Sequence, residues 1–552
     1  MTTSLHGSGT QSYPSLISLA ASALLFYLVL AAPNHPEALA WDILLVFPLE
    51  LPVILGALAV MGVTGRGAVL IRGVIVISLT LLTLTKLADF AMFSAYNRGF
   101  NPLVDLHLIP AAWNLGSGAI GTARALGAVI GALSLLSALA LALWWAATRW
   151  SKVELPQAPR RLTAIALFPA LLLAAAEIGD AMRKWQLPFD VPGAAFTARV
   201  ALERAEMLSQ TARRLSDFKE AASTDPFADA TPLLDEIGTR DVLFLYVESY
   251  GASSLTNPRY APLHLDTLDA IEAELAARGL SMRSGWLEAP MIGGQSWLTH
   301  TTLATGLWSP DQRTYGAALV SGRKSLFHLA SENAFETVAV MPAITMDWPE
   351  AGFMGFDRVF AAADLGYEGR PFNWVTMPDQ FTLAALDRLV LPGAPGVDRP
   401  PVFAQVALIS SHAPWTPVPR LIAWEDVGDG RVFNAMAAEG DAPDVVWRDR
   451  DRVRAQFGKA VDYSLRTAGS YVARLAEAEP LIVLLGDHQP AAFVSEDDSF
   501  NVPVHVIGPA HLVERFASWG WVDGMRPSPA TQAVRMDAFR NRFLQAFSSL
   551  SP

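Results

Sequence analysis

The sequence contains no cysteine. Disulfides, thiolate zinc sites and cysteine nucleophiles are therefore excluded, and any exported domain must be held by packing or by metal. Charge is also scarce. Only 17% of residues are Asp, Glu, Lys or Arg, and their balance is acidic, with a formal net charge of −12. That balance argues against nucleic acid as a partner. The chain shows no internal repeat and no low-complexity tract. Apolar residues are what it has in plenty: 52% of 552 positions, with a positive mean hydropathy. A chain this long and this apolar implies more than one domain and a membrane part.

The long apolar runs crowd into the first third. Five are long enough to be read as membrane spans, which take roughly 20 apolar residues as helix: Leu16 to Ala32, Trp41 to Val63, Val69 to Met92, Leu126 to Ala147 and Leu162 to Ile178. The first lacks the basic leader of a secretory signal and four more runs follow, so it reads as an anchor. Basic residues set the orientation. Arg66 and Arg72 follow the second run, and Arg149, Lys152, Arg160 and Arg161 follow the fourth, whereas the loop after the first has none. Those two loops are expected in the cytoplasm, with Arg98 in the third loop a mild exception. The N-terminus is then cytoplasmic and everything after Ile178 lies outside.

The expected organisation is a transmembrane domain over 1–180, a juxtamembrane helix and linker over 181–233, and an extracytoplasmic domain over 234–552. Helical spacing with mixed charge runs from Ala194 to Ala222, and "STDPFADATP" reads as linker. Beyond it, short apolar runs alternate with amphipathic helices: "DVLFLYVE", "ETVAVMP", "PVFAQVALIS" and "LIVLLGD" among the strands. This pattern predicts an α/β domain with a mostly parallel sheet covered on both faces.

In such sheets ligands bind beyond the carboxyl ends of the strands. Three runs end there on acid or imidazole groups: "DVLFLYVESYG" on Glu248, "PVFAQVALISSH" on His412, and "PLIVLLGDHQP" on Asp487 and His488. Two carboxylates and an imidazole on one edge suit a divalent cation, either manganese, magnesium or zinc. "EAPMIGGQSWLTHTTLATGLWSP" supplies a hydroxyl. Its glycines allow close approach to an anion, and Ser296 falls at or near a helix N-terminus, where phosphate is favoured. Thr299, Thr301 and Thr302 are rival nucleophiles. His300, one turn into that helix, and His505, inside "VPVHVIG", read as structural.

Glu248 in "VESYG", Gly-x-Ser at the helix start, Ser-His-x-Pro and Gly-Asp-His, in that order after membrane spans, resemble the alkaline phosphatase superfamily. More closely they resemble its lipoteichoic acid synthase and phosphoglycerol transferase branch, from the spans through Gly508. The resemblance implies four metal ligands, Glu248, Ser296, Asp487 and His488, with Ser296 also the nucleophile. It implies that His412 in "SSHAPWTP" binds phosphate or protonates the leaving group, and that Trp348 in "DWPEAGFMGFDRVF" contacts the head group. Pro349 and Glu350 stand where the branch has an Arg, and the branch commonly uses Thr where this chain has Ser296.

The function so implied is transfer of a phosphoglycerol-type head group from a membrane phospholipid to a glycan or envelope polymer, through a phosphoserine, at the outer face of a bacterial inner membrane. Three other functions compete. A sulfatase needs Cys or Ser in Cys/Ser-x-Pro-x-Arg, and "SWLTH" lacks the Pro and Arg. Phosphoethanolamine transferases share the ligand set but usually carry disulfides. A non-enzymatic membrane protein that binds or senses anionic polymer is the third.

Overall fold

The computed structural model describes residues 14–38, 45–62, 65–96, 99–103, 105–109, 113, 117, 121–189 and 191–549. The chain separates into two compact units, Met1–Arg213 and Arg214–Pro552.

Among the described residues of the first unit, three helices are long and apolar enough to cross a membrane: Arg66–Phe93, Thr122–Ser151 and Gln157–Ala181. Their apolar side chains face outward, Leu133, Leu135, Ile165 and Phe168 among them. So large an apolar exterior is untenable in water and natural in lipid. The first two expected spans are shorter helices, Leu16–Ala31 and Glu50–Met61. Neither reaches the length a straight crossing needs, and part of the second, Trp41 to Leu44 and Val63, lies outside the described residues. The ionisable groups inside this unit are partnered. Lys86 Nζ donates to the carbonyls of Val29 and Leu30 and to Thr197 Oγ1, and Asp89 pairs with Arg204. The expected juxtamembrane helix forms at Phe196–Ser223.

The second unit is built on one sheet. Its strands are β1 (Val242–Val247), β2 (Ser281–Glu288), β3 (Glu336–Met341), β4 (Arg358–Ala361), β5 (Val402–Leu408), β6 (Leu481–Gly486), β7 (Asn501–Gly508), β8 (Val522–Asp523) and β9 (Val534–Arg535). They lie in the order β4-β3-β5-β1-β6-β7-β2-β8, with β9 beside β2. The first five in that order are parallel. Beyond β6 the pairing turns antiparallel, so the sheet is mixed, with the parallel part carrying the site.

The inner strands have no wet face. Every residue of β1, β5 and β6 is buried, which is why they read as unbroken apolar runs. On one face Leu243, Leu245 and Val247 pack with Tyr260, Phe457 and Val461. On the other, Phe244 meets Phe327, Phe403, Phe539 and Phe543, with ring centroids 5.4–6.5 Å apart. Each Leu or Phe so buried contributes roughly 1.5–3 kcal/mol. Because β5, β1 and β6 are adjacent and parallel, their carboxyl ends place Glu248, the Ser410–His412 segment and Asp487–His488 side by side.

Candidate metal centre

Between β6 and the loop after β1 the backbones cross closely. A Cβ at Gly486 would lie 1.8 Å from the Tyr250 carbonyl oxygen, so only glycine lets β6 run on to present Asp487. Ser249 takes a left-handed conformation, φ 59°, and its amide donates to Asp487 Oδ1 at 2.8 Å. The His488 amide donates to the same oxygen at 2.7 Å.

The segment that carries Ser296 arrives through another strained turn. Gly293, Gly294 and Gln295 all have positive φ, 72°, 83° and 62°. Two glycines adopt this at little cost; Gln295 bears roughly 1–2 kcal/mol of strain, of the kind found at functional sites. The turn ends on Ser296, the first residue of the Ser296–Thr305 helix. Its Oγ lies 3.1 Å from Glu248 Oε2 and 3.3 Å from His488 Nε2. Thr299, Thr301 and Thr302 are buried further along that helix, and no hydrogen bond joins any of them to Glu248 or His488.

His488 Nδ1 lies 2.8 Å from the Gln489 carbonyl oxygen. A carbonyl can only accept, so Nδ1 carries a proton and Nε2 is the nitrogen turned inward, where its lone pair is available to a cation once its own proton is displaced. There it meets Glu248 Oε1 at 3.2 Å, Asp487 Oδ2 at 3.7 Å and the donating Gly294 amide at 3.2 Å. Ligand atoms of Glu248, Asp487 and His488 all fall within 4.8 Å of one another, and all three residues are buried.

The electrostatics suit a divalent cation. Burial alone would raise Glu248, but the His488 charge beside it holds its carboxyl well below the usual range. Burial and the charge of Glu248 push Asp487 up to about 8. Burial would lower His488, yet Asp487 and Glu248 together raise it to about 9. Among the described residues no Lys or Arg pairs with either carboxylate. Two buried carboxylates, an inward imidazole lone pair and a hydroxyl make a donor set for one divalent ion, which would displace the protons that the cluster otherwise shares.

His412 follows β5 on the adjacent loop, half-buried, with Nδ1 2.6 Å from the Ala413 carbonyl. Trp348 is not joined to the cluster by any hydrogen bond or ring contact. It stands before the Pro349–Phe353 turn and packs on Phe356 at 6.2 Å.

Sequence reasoning passed over Gln489, the residue after the Asp-His pair. Its carbonyl accepts from His488 Nδ1 and from the Gly293 amide at 3.0 Å. Its side-chain oxygen accepts from the Ser253 amide and hydroxyl at 3.2 and 2.8 Å, while its Nε2 donates to Asp497 and Ser499. One buried residue thus holds the loop after Glu248 through its side chain, and the loop before Ser296 and the His488 ring through its backbone carbonyl. A Cβ at Gly251 would fall 1.9 Å from Gln489 Oε1, so "SYG" after Glu248 was the available signal.

His300 is buried, its ring 4.1 Å from that of Tyr246, and burial pushes it down to about 4. The Ser296–Thr305 helix and β1 run in opposite senses here, so Ser296 meets Glu248 while His300, one turn on, meets Tyr246, two residues back.

No protein-family model matches the sequence, and no curated protein matches it. Among solved structures, the chain is similar to the lipoteichoic acid synthase LtaP from Listeria monocytogenes at 15% identity and a TM-score of 0.33, covering 53% of this chain and 70% of that one. It is similar to the Streptococcus pyogenes phosphoglycerol transferase GacH, in complex with sn-glycerol-1-phosphate, at 10% identity and a TM-score of 0.36, covering 63% and 97%. The C-terminal periplasmic domain of EcEptC from Escherichia coli gives 13% identity and a TM-score of 0.35, covering 59% and 85%. Similarities this faint leave the weight on the geometry of the site.

Proposed function

We propose that this chain is a metal-dependent phosphotransferase of the alkaline phosphatase superfamily that moves a phosphoglycerol-type head group from a membrane phospholipid to a glycan or envelope polymer. The observation that carries this reading is the Ser296 hydroxyl, at a helix N-terminus and within 3.1–3.3 Å of both Glu248 and His488. Glu248, Ser296, Asp487 and His488 would hold one divalent ion, manganese or magnesium, or else zinc. Such an ion would lower the pKa of the serine hydroxyl and neutralise charge on the phosphoryl oxygens.

The chain's own groups do the rest. Ser296 Oγ forms a bond to phosphorus as the bond to the diacylglycerol oxygen breaks, and His412 supplies a proton to that oxygen. The helix N-terminus favours the phosphoserine that results. An acceptor hydroxyl then gives its proton to His412 and attacks phosphorus as the bond to Ser296 Oγ breaks, and ping-pong kinetics follow. The positive-inside pattern supports a catalytic unit on the outer side of a bacterial inner membrane. Trp348 is proposed as a head-group contact on sequence grounds alone.

The test is diacylglycerol release by the detergent-purified protein from labelled phosphatidylglycerol and, separately, from phosphatidylethanolamine, with Ser296→Ala as control. Release from phosphatidylglycerol that the variant loses is expected. Release from phosphatidylethanolamine alone would change the head group, and release from neither with metal bound would overturn the phospholipid donor.

A further inference from the structure

The exposed tryptophans of the catalytic unit all lie on one edge of the sheet. Among the described residues they are Trp297 (40% exposed), Trp374 (72%) and Trp447 (44%). Each belongs to a segment tied to the metal centre's edge. Trp297 follows Ser296 directly. Trp447 stacks on Trp415 with centroids 5.8 Å apart and donates to the Pro414 carbonyl, both just past His412. Trp374 tops a tight turn closed by the Phe372 and Val375 amides, each donating to the other's carbonyl, at 2.8 and 3.1 Å. That turn is held by Asn373 to the Thr416 carbonyl and by Thr376 to the Pro342 carbonyl, beyond the ends of β5 and β3. Met346, 82% exposed, projects from the same post-β3 loop.

We propose that this edge of the catalytic unit rests on a phospholipid surface, with Trp374 and Met346 entering the boundary between head groups and acyl chains. Indoles prefer that boundary, where the ring is apolar and the N–H stays hydrated. An exposed Met on the loop that the Trp374 turn is bonded to adds an adaptable apolar finger that water does not favour. A bilayer is also the apolar surface that this chain, with three helices fit to cross a membrane, always has at hand. A sugar-stacking platform fits less well, because Trp374 stands on a turn tip and Met346 has no ring. At the opposite edge no tryptophan is exposed. Val397, 83% exposed, marks it, in the loop before β5 where Gly396 packs on Thr239.

The reading of the chain as a phospholipid transferase gives this surface its use, but the test needs no turnover, so the two fail separately. Because the chain has no cysteine, single cysteines can be placed at will. Trp374→Cys, Met346→Cys and Val397→Cys, each in the full chain reconstituted in phosphatidylethanolamine/phosphatidylglycerol vesicles, are labelled with bimane and exposed to nitroxide-bearing lipid. Labels at 374 and 346 should lose at least about half their fluorescence, and the label at 397 should lose little. Quenching at 374 and 346 no greater than at 397 would overturn the proposal. So would a spectral response to a soluble oligosaccharide without nitroxide quenching, which would assign the edge to a glycan. Quenching that persists in a Ser296→Ala background, with no lipid turnover by the parent protein, would keep the surface and discard the transferase.

Discussion

His488 and His505 are both fully buried at the antiparallel seam of β6 and β7, one past the end of its strand and one within it, and they live in opposite electrostatic worlds. The ring of His505 is flanked by neutral hydroxyls. Ser284 Oγ gives its proton to the Gly524 carbonyl at 2.7 Å, so it accepts from His505 Nδ1 at 2.8 Å, and Tyr250 serves Nε2 at 3.1 Å. Both nitrogens are satisfied, and burial pushes the group down to about 3. His488 has one nitrogen satisfied by a carbonyl and the other turned on two carboxylates and a hydroxyl. Burial is common to both, so it is the partners that separate an imidazole satisfied within the fold from one turned toward a candidate cation site.

The sharpest way to break this contrast is to remove a carboxylate from one region and the imidazole from the other. Asp487→Ala should drop bound metal from about one ion per chain to near none and lower diacylglycerol release on the order of 1000-fold, several kcal/mol of transition-state stabilisation. His505→Leu should keep the metal and lose roughly 2–4 kcal/mol of stability, because two buried hydroxyls lose their partner. Metal analysis and urea unfolding on the same preparations decide it. A His505→Leu protein that lost metal but not stability would erase the distinction.

A smaller effect is expected at Gln489. Gln489→Leu keeps the size but removes the amide that joins Ser253 to Asp497 and Ser499, loosening the frame around His488. Metal affinity should fall about 10–100-fold, as for other groups that orient ligands, measured by competition with a chelator at fixed pH. Unchanged affinity would reduce Gln489 to packing.

The smallest effect concerns pH. As pH falls through 6.5 the unfolded chain protonates His505, whereas the folded chain does not until about 3. Its contribution to stability therefore declines with acidity in that window, by at most about 1.4 kcal/mol per unit. Comparing unfolding of the parent and His505→Leu at pH 7 and 5.5 measures it, and parallel slopes would refute it.

Much of this was legible because parallel strands buried on both faces write themselves as apolar runs, and because β1, β5 and β6 end on residues no strand interior tolerates. Glu248, Asp487 and His488 announce themselves that way, and Ser296 through its two glycines. The antiparallel part was harder to see. β2, "SMRSGWLE", carries Arg283 and Ser284 among its apolar residues, since it lies near the outer side of the sheet. Gln489 was invisible for a different reason: its partners lie in loops whose proximity only the fold creates. The first apolar run forms its helix over almost the expected span, Leu16–Ala31, whereas the described part of the second, residues 45–62, is helical only over Glu50–Met61, so hydropathy marks where helices form better than how far each extends.

The close crossing of Gly486 and Tyr250 has a consequence for how such a chain matures. Asp487 reaches the Ser249 amide across 238 residues and His488 reaches Ser296 across 192, and β6 must slot between β1 and β7 before either can. A polypeptide emerging from its N-terminus shows Glu248 and Ser296 long before their partners exist. On the proposed function, no early fragment could capture an ion, and metal binding would coincide with the slow, long-range closure of the sheet. A cation held there would be a clasp fastened last, and a chain cut short anywhere before Asp487 would carry Glu248 and Ser296 without the two partners that complete the cluster.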